Sequence, residues 1–254
     1  MPSVELSDRI VLLAAGPDAE ALLQNTITTD LSALGQDEAR AGALLAPQGK
    51  ILFDFLISRT GQDGFRLDCR RDLAQDFMKR LMLYRLRAKA ELSIDNNAVI
   101  SVSWGNDSPS SQTDSMSVVD RRFPEALKVA RRYGSAEKGS TDISAWDRLR
   151  VEHGVAESGR DYDLGDAFPH EILFDQNGGV GLKKGCYVGQ EVVSRMHHRG
   201  TARRRLVIVR GDKALPASGS QITADGRPIG ALGTVCDADG LAILRIDRAA
   251  GAIQ

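Results

Sequence analysis

A chain of 254 residues, 42% hydrophobic and 26% charged, has an ordinary globular composition and is long enough for one large core or two to three small ones. Its formal net charge of -1 argues against a surface built throughout to bind nucleic acid or an anionic membrane. Three cysteines, Cys69, Cys186 and Cys236, stand far apart with no Cys-x-x-Cys, which argues against zinc or cluster ligation by this chain alone and fits a reducing cytoplasm. The first residues, MPSVELSDR, read as no targeting segment, and IVLLAA is too short to span a bilayer, so no membrane association is expected.

In chain order, residues 9–14 read as a strand, and GPDAEALLQN starts a short helix with Pro17 near its first turn and Ala19, Leu22 and Leu23 on one face. Apolar runs at 39–45 and 51–58 flank the turn APQGK. RTGQDG, a strand at 65–68 and a helix with Leu73, Phe77 and Leu81 follow. That order belongs to the α+β class rather than to a doubly wound sheet. Runs rich in β-formers at 88–94 and 99–104 precede GNDSPSSQTDS, an exposed polar loop. A second loop, GSAEKGSTD, leads to a helix starting near Thr141 or Asp142, with Asp142 as a cap and Ile143, Trp146, Leu149 and His153 on neighbouring faces. After Thr201, short apolar strands separated by Asp-Gly turns predict a small antiparallel sheet or barrel. The expected organisation is an α+β region over 1–200 and a β-barrel over 201–254.

The stretch KKGCYVGQE, residues 183–191, concentrates mixed chemistry. Gly185 and Gly189 bracket Cys-Tyr-Val and allow close backbone approach or positive φ. Lys183, Lys184 and the start of a helix at 189–196 make a positive surrounding that favours a thiolate at Cys186. The alternative is a small buried hydrophobe, as free cysteines commonly are. Cys69 and Cys236 lack such surroundings, so Cys186 is the cysteine singled out.

With Arg195, this stretch resembles the signature K-G-C-[FY]-x-G-Q-E-x-x-x-R of the YgfZ family, folate-binding relatives of the glycine-cleavage T-protein that act in iron-sulfur protein maintenance. Lys184, Gly185, Cys186, Tyr187, Gly189, Gln190, Glu191 and Arg195 match it position by position. LLQNTITTDL, LLAPQGKILFDF, RLRVEHGVAESG and FPHEILFD resemble further family segments, while residues 99–139 offer little to match.

The resemblance implies a T-protein-like fold, with two interlocked α+β units around a central channel for tetrahydrofolate and a C-terminal β-barrel. It also implies a working pair, Cys186 and Lys184, and a cofactor-binding set drawn from Glu152, Asp54, Tyr187, Gly189, Gln190, Glu191 and Arg195. Glu152 and Asp54 are the candidate pterin carboxylates, each with a solvated surface role as the alternative. The implied function is tetrahydrofolate-dependent assistance to the synthesis or repair of iron-sulfur clusters in client enzymes, including those that thiolate tRNA. Two other readings remain: a folate-dependent aminomethyl or one-carbon transferase, and a folate-free scaffold. The basic run RMHHRGTARRR could meet RNA but is better read as a solvated connection. His197 and His198 are adjacent and point apart, so no metal is assigned.

Overall fold

The computed structural model describes residues 2–105, 116–134, 139–200 and 202–249. Most of the Ser-rich loop, 106–115, and residues 135–138 of the second loop lie outside the described residues.

The largest element is a nine-stranded sheet. One half contains β2 (Arg9–Ala15), β3 (Glu38–Leu45), β4 (Ile51–Arg59), β5 (Gly64–Arg70) and β6 (Glu91–Asp95); the other contains β1 (Ser3–Glu5), β7 (Val99–Ser103), β8 (Ser117–Asp120) and β9 (Ala130–Gly134). The order is β1-β7-β9-β8-β3-β4-β5-β2-β6. The halves join through a parallel pairing in which Glu38 faces Val119 and Ala39 faces Asp120. Because β1 sits in the second half and β2 in the first, the chain crosses between the halves at its start and interlocks them.

Alternation along the strands sorts side chains onto two faces. One face carries Ile10, Leu12, Phe55, Leu67 and Cys69 into a core with α1 (Ala19–Gln24) and α2 (Ala74–Arg85). Phe77 of α2 stacks on Phe53 and Phe55 of β4, with ring centroids 5.0 and 5.2 Å apart. The opposite face carries Val11, Leu56, Val118 and Tyr133, covered by Trp146 and Leu149 of α3 (Ile143–Glu152). Asp142 caps α3 as expected, accepting from the Ser144 N–H at 2.9 Å.

After α4 (Gln190–Arg199), a separate four-stranded antiparallel sheet runs in the order β10-β13-β12-β11. It comprises β10 (Arg204–Arg210), β11 (Gln221–Ala224), β12 (Arg227–Cys236) and β13 (Asp239–Arg245). Asp225 and Gly226, with φ of 49° and 73°, form the two-residue turn that an Asp-Gly pair favours. The other Asp-Gly after Thr201, Asp239-Gly240, starts β13 instead, and the turn there is Asp237-Ala238.

Candidate functional site

Cys186 is the exposed cysteine, Cys69 is buried and Cys236 is intermediate. The residues around Cys186 are anchored. Lys184 is 8% exposed, and its Nζ donates to the carbonyls of Ile27 at 2.8 Å and Thr29 at 2.7 Å. Burial lowers its pKa to about 8, with the Asp30 carboxylate acting against that shift. Tyr187 is buried as well, which pushes its phenol up to about 12. The Gly185-Cys186 tip between them faces open space. Thr28 completes the clamp: its hydroxyl donates to the Gly179 carbonyl at 2.6 Å and accepts from Ala43 N–H at 2.9 Å.

Two glycines interlock the signature with the APQGK hairpin. Gly189 has a φ of 80°, and a Cβ there would lie 2.7 Å from the Ala46 carbonyl oxygen. Gly49, at φ 81°, faces Val192 of α4, where a Cβ would meet the Val192 Cβ at 2.8 Å. Neither turn accepts a side chain, and both conformations favour glycine. Thus TITTD, APQGK and KKGCYVGQE, far apart in sequence, form one support for Cys186. Gln190 is half-buried, while Glu191 and Arg195 are exposed and stand four apart on one side of α4.

The second feature is a charged centre on the face of the sheet beneath α3. Asp68 is fully buried and accepts from Arg9 Nε at 2.7 Å, Arg131 Nη1 at 3.4 Å and the Tyr133 hydroxyl at 3.3 Å. Arg131 also reaches Asp120 at 3.3 Å, and Arg122 binds Asp120 at 3.0 and 2.8 Å. From α3, Arg150 donates to Asp147 at 2.9 Å and to Asp161 at 3.0 Å. Burial pushes the Glu157 carboxyl up, but the fields of Arg150, Arg9, Arg122 and Arg131 outweigh it and hold the pKa at about 2. Asp161 also accepts from Thr234 N–H at 2.7 Å, so it ties the small sheet to this centre.

The two candidate pterin carboxylates are not brought together. Asp54 lies on the inner face, since the alternation that sends Phe53 and Phe55 to α2 sends Asp54 the other way. Its oxygens accept from Ser158 Oγ at 2.6 Å and from the Tyr162 hydroxyl at 2.9 Å. Glu152 is exposed and lines a cavity with Trp104 and Arg148. It follows Arg150 by two residues on α3, about 200° around the helix, and so faces away from the centre. Glu157, which the sequence reading passed over, occupies the centre instead; its signal was the charge density of ESGRDYD. Lys184, expected beside the thiol, spends its ammonium on backbone carbonyls and acts as an anchor. Arg204 and Arg205 of the basic run are occupied too: Arg204 pairs with Glu171 at 2.8 Å and Arg205 with Asp175 at 3.1 Å.

Comparison with known proteins adds to this geometry. Residues 203–254 match the family model of the CAF17 C-terminal beta-barrel domain. The solved glycine cleavage system aminomethyltransferase T from Bartonella henselae superposes with a TM-score of 0.77 at 15% identity, covering 96% of this chain and 78% of that one. The fold is therefore the T-protein-like α+β fold with a C-terminal β-barrel. The mitochondrial iron-sulfur cluster assembly factor IBA57 homolog of Chaetomium globosum is 30% identical over 238 residues, covering 80% of this chain and 54% of that protein. Human mitochondrial IBA57 is 29% identical over 282 residues, covering 98% of this chain and 79% of that protein. These relatives are iron-sulfur cluster assembly factors. The chain spans about half the length of the Chaetomium relative. The relatives bear the IBA57 name and not the YgfZ name of the sequence resemblance.

Proposed function

We propose that this chain assists the assembly or repair of iron-sulfur clusters in client proteins, with Cys186 as the group that meets the client's iron or sulfur. The observation that carries this reading is an exposed thiol on a loop whose flanking side chains are anchored. A thiolate is a soft ligand suited to iron-sulfur chemistry. One cysteine falls short of the four ligands that ordinarily hold a cluster, so the others come from the client. In this reading the protein works in a reducing compartment, as in the cytoplasm, and acts without classical turnover.

A tetrahydrofolate belongs to the same proposal. The half-buried Asp54 accepts one hydrogen bond on each oxygen and retains lone pairs for pterin N–H donors. Ser158, bonded to Asp54, also lines a cavity of ≈ 470 Å³ with Arg9, Arg70, Arg71 and Arg160. Such a cavity has the size of a small-molecule site; Arg9, Arg70 and Arg160 already pair with Asp68, Asp72 and Asp147, so Arg71, bonded to backbone carbonyls, is the arginine that suits a carboxylate of a glutamate tail. Asp54, joined to the cavity through Ser158, together with Arg71 fits a folate, which would supply a one-carbon carrier or an ordering ligand. A role for Glu152 in holding it is not part of the reading.

The test is replacement of the gene in cells by Cys186→Ser, with the activity of cluster-dependent enzymes, including tRNA-thiolating ones, as the readout. Lost client activity at undiminished protein level supports the reading; full activity removes it.

A further inference from the structure

The end of α2 carries a feature that neither the Cys186 loop nor the charged centre uses. Met82, Leu83 and Leu86 are 45%, 66% and 86% exposed, three large apolar side chains within one turn and its exit. Cations surround them. Lys79 pairs with Asp76 and Arg85 donates to the Ala90 carbonyl; the side chains of Arg80, Arg87 and Lys89 have no carboxylate partner among the described residues, while the Lys89 backbone N–H donates to the Asp18 carboxylate at 2.7 Å.

Leu86 is held out by its backbone. The Ala88 N–H donates to the Arg85 carbonyl at 2.7 Å and closes a turn in which Leu86 has φ 45° and ψ -106°. That is the first central position of a type II′ turn, which glycine takes because a side chain strains it. The fold thus keeps a strained leucine almost wholly in solvent. Beside it opens a groove of ≈ 410 Å³ lined by Leu22, Tyr84 and Leu86 and by the polar Asp18, Arg85 and Arg87.

We infer that this face docks a protein segment with an apolar anchor flanked by Asp or Glu. An apolar centre with a polar rim is the anatomy of a protein interface, and a rim of unpaired cations selects an acidic partner. A membrane surface is the weaker match, because an interfacial helix exposes an apolar face along its length. Here Phe77 and Leu81 point into the core and the exposed apolar residues are confined to the end of α2. The inference does not depend on the role of Cys186.

The test is fluorescence anisotropy of the full chain with a labelled peptide carrying two leucines at helical spacing between glutamates. Controls are the same peptide with serines for leucines, with lysines for glutamates, and phosphatidylserine vesicles. Saturable binding to the acidic leucine peptide is expected, weakened about tenfold by Leu83→Ser or Arg87→Glu. Leu86→Gly is expected to weaken binding while raising Tm by about 2–4 °C, since the strain leaves with the side chain. Equal binding of the serine or lysine peptide, binding untouched by these variants, preference for the vesicles, or a Tm lowered by Leu86→Gly would each overturn the inference.

Discussion

The Lys184 ammonium lies 5.2 Å from the centroid of the Tyr187 ring, and both side chains are buried while Cys186, between them, is exposed. The loop is pinned on both sides of its thiol. Its reactive atom is therefore presented by fixed neighbours, which is what a cysteine that meets a partner requires.

Thiol reactivity should sort by site. Iodoacetamide under native conditions, read by mass spectrometry, is expected to label Cys186 first and Cys236 more slowly. Cys69 should react only after unfolding, because it is 2% exposed and burial pushes its pKa to about 12. Rapid labelling of Cys69 in the native protein would contradict the placement.

Gly189→Ala should disturb the support of that loop. The added Cβ would press on the Ala46 carbonyl oxygen and force a positive φ on alanine, at a cost of about 1–3 kcal/mol. Urea unfolding should register the loss, and client activity should fall further than the stability change explains. Gly165→Ala, where a Cβ meets nothing within 4 Å, shares the positive φ of 81° and isolates the backbone effect.

Removing the hub of the charged centre should be severe. Asp68→Asn leaves Arg9 and Arg131 buried without their shared carboxylate, and breaking a buried pair from one side costs about 3–5 kcal/mol. Equilibrium urea denaturation measures it directly.

Acid should destabilise the fold in a defined window through Glu157. Its folded pKa of about 2 lies below the ordinary 4.5, so its contribution is fully present above pH 4.5 and is lost as pH falls from there toward 2. The shift corresponds to about 3 kcal/mol. Glu157→Gln should flatten the pH dependence of stability between those values; an unchanged slope would show that other carboxylates carry it.

Much of this was legible from residues close in sequence. The apolar runs that became β2 through β5, the Asp142 cap and the K-G-C-Y-x-G-Q-E match each depend on residues close in sequence. The charged centre was not legible, because Arg9 and Asp68 are 59 residues apart and Arg131 and Asp68 are 63 apart. Each charge alone reads as solvated, and only the interlocked sheet brings them together. Glu152 lies away from the centre for a related reason: two residues along a helix reverse the facing, so Arg150 points in and Glu152 out. Lys184 and Cys186 look like partners in sequence, yet the carbonyls of Ile27 and Thr29, over 150 residues earlier, take the ammonium.

Folate affinity gives a separate check on that facing. Calorimetric titration with tetrahydrofolate under anaerobic conditions should show one site weakened by Asp54→Asn and left intact by Glu152→Ala. The reverse pattern would return the pterin to Glu152.

The most direct measurement is anaerobic cluster reconstitution on a purified apo client enzyme, following its activation rate with the wild-type chain, Cys186→Ser and Cys236→Ser. Acceleration is expected from the wild type and from Cys236→Ser, and none from Cys186→Ser with unchanged Tm. Equal acceleration by Cys186→Ser would contradict the assignment of the exposed thiol as the working group.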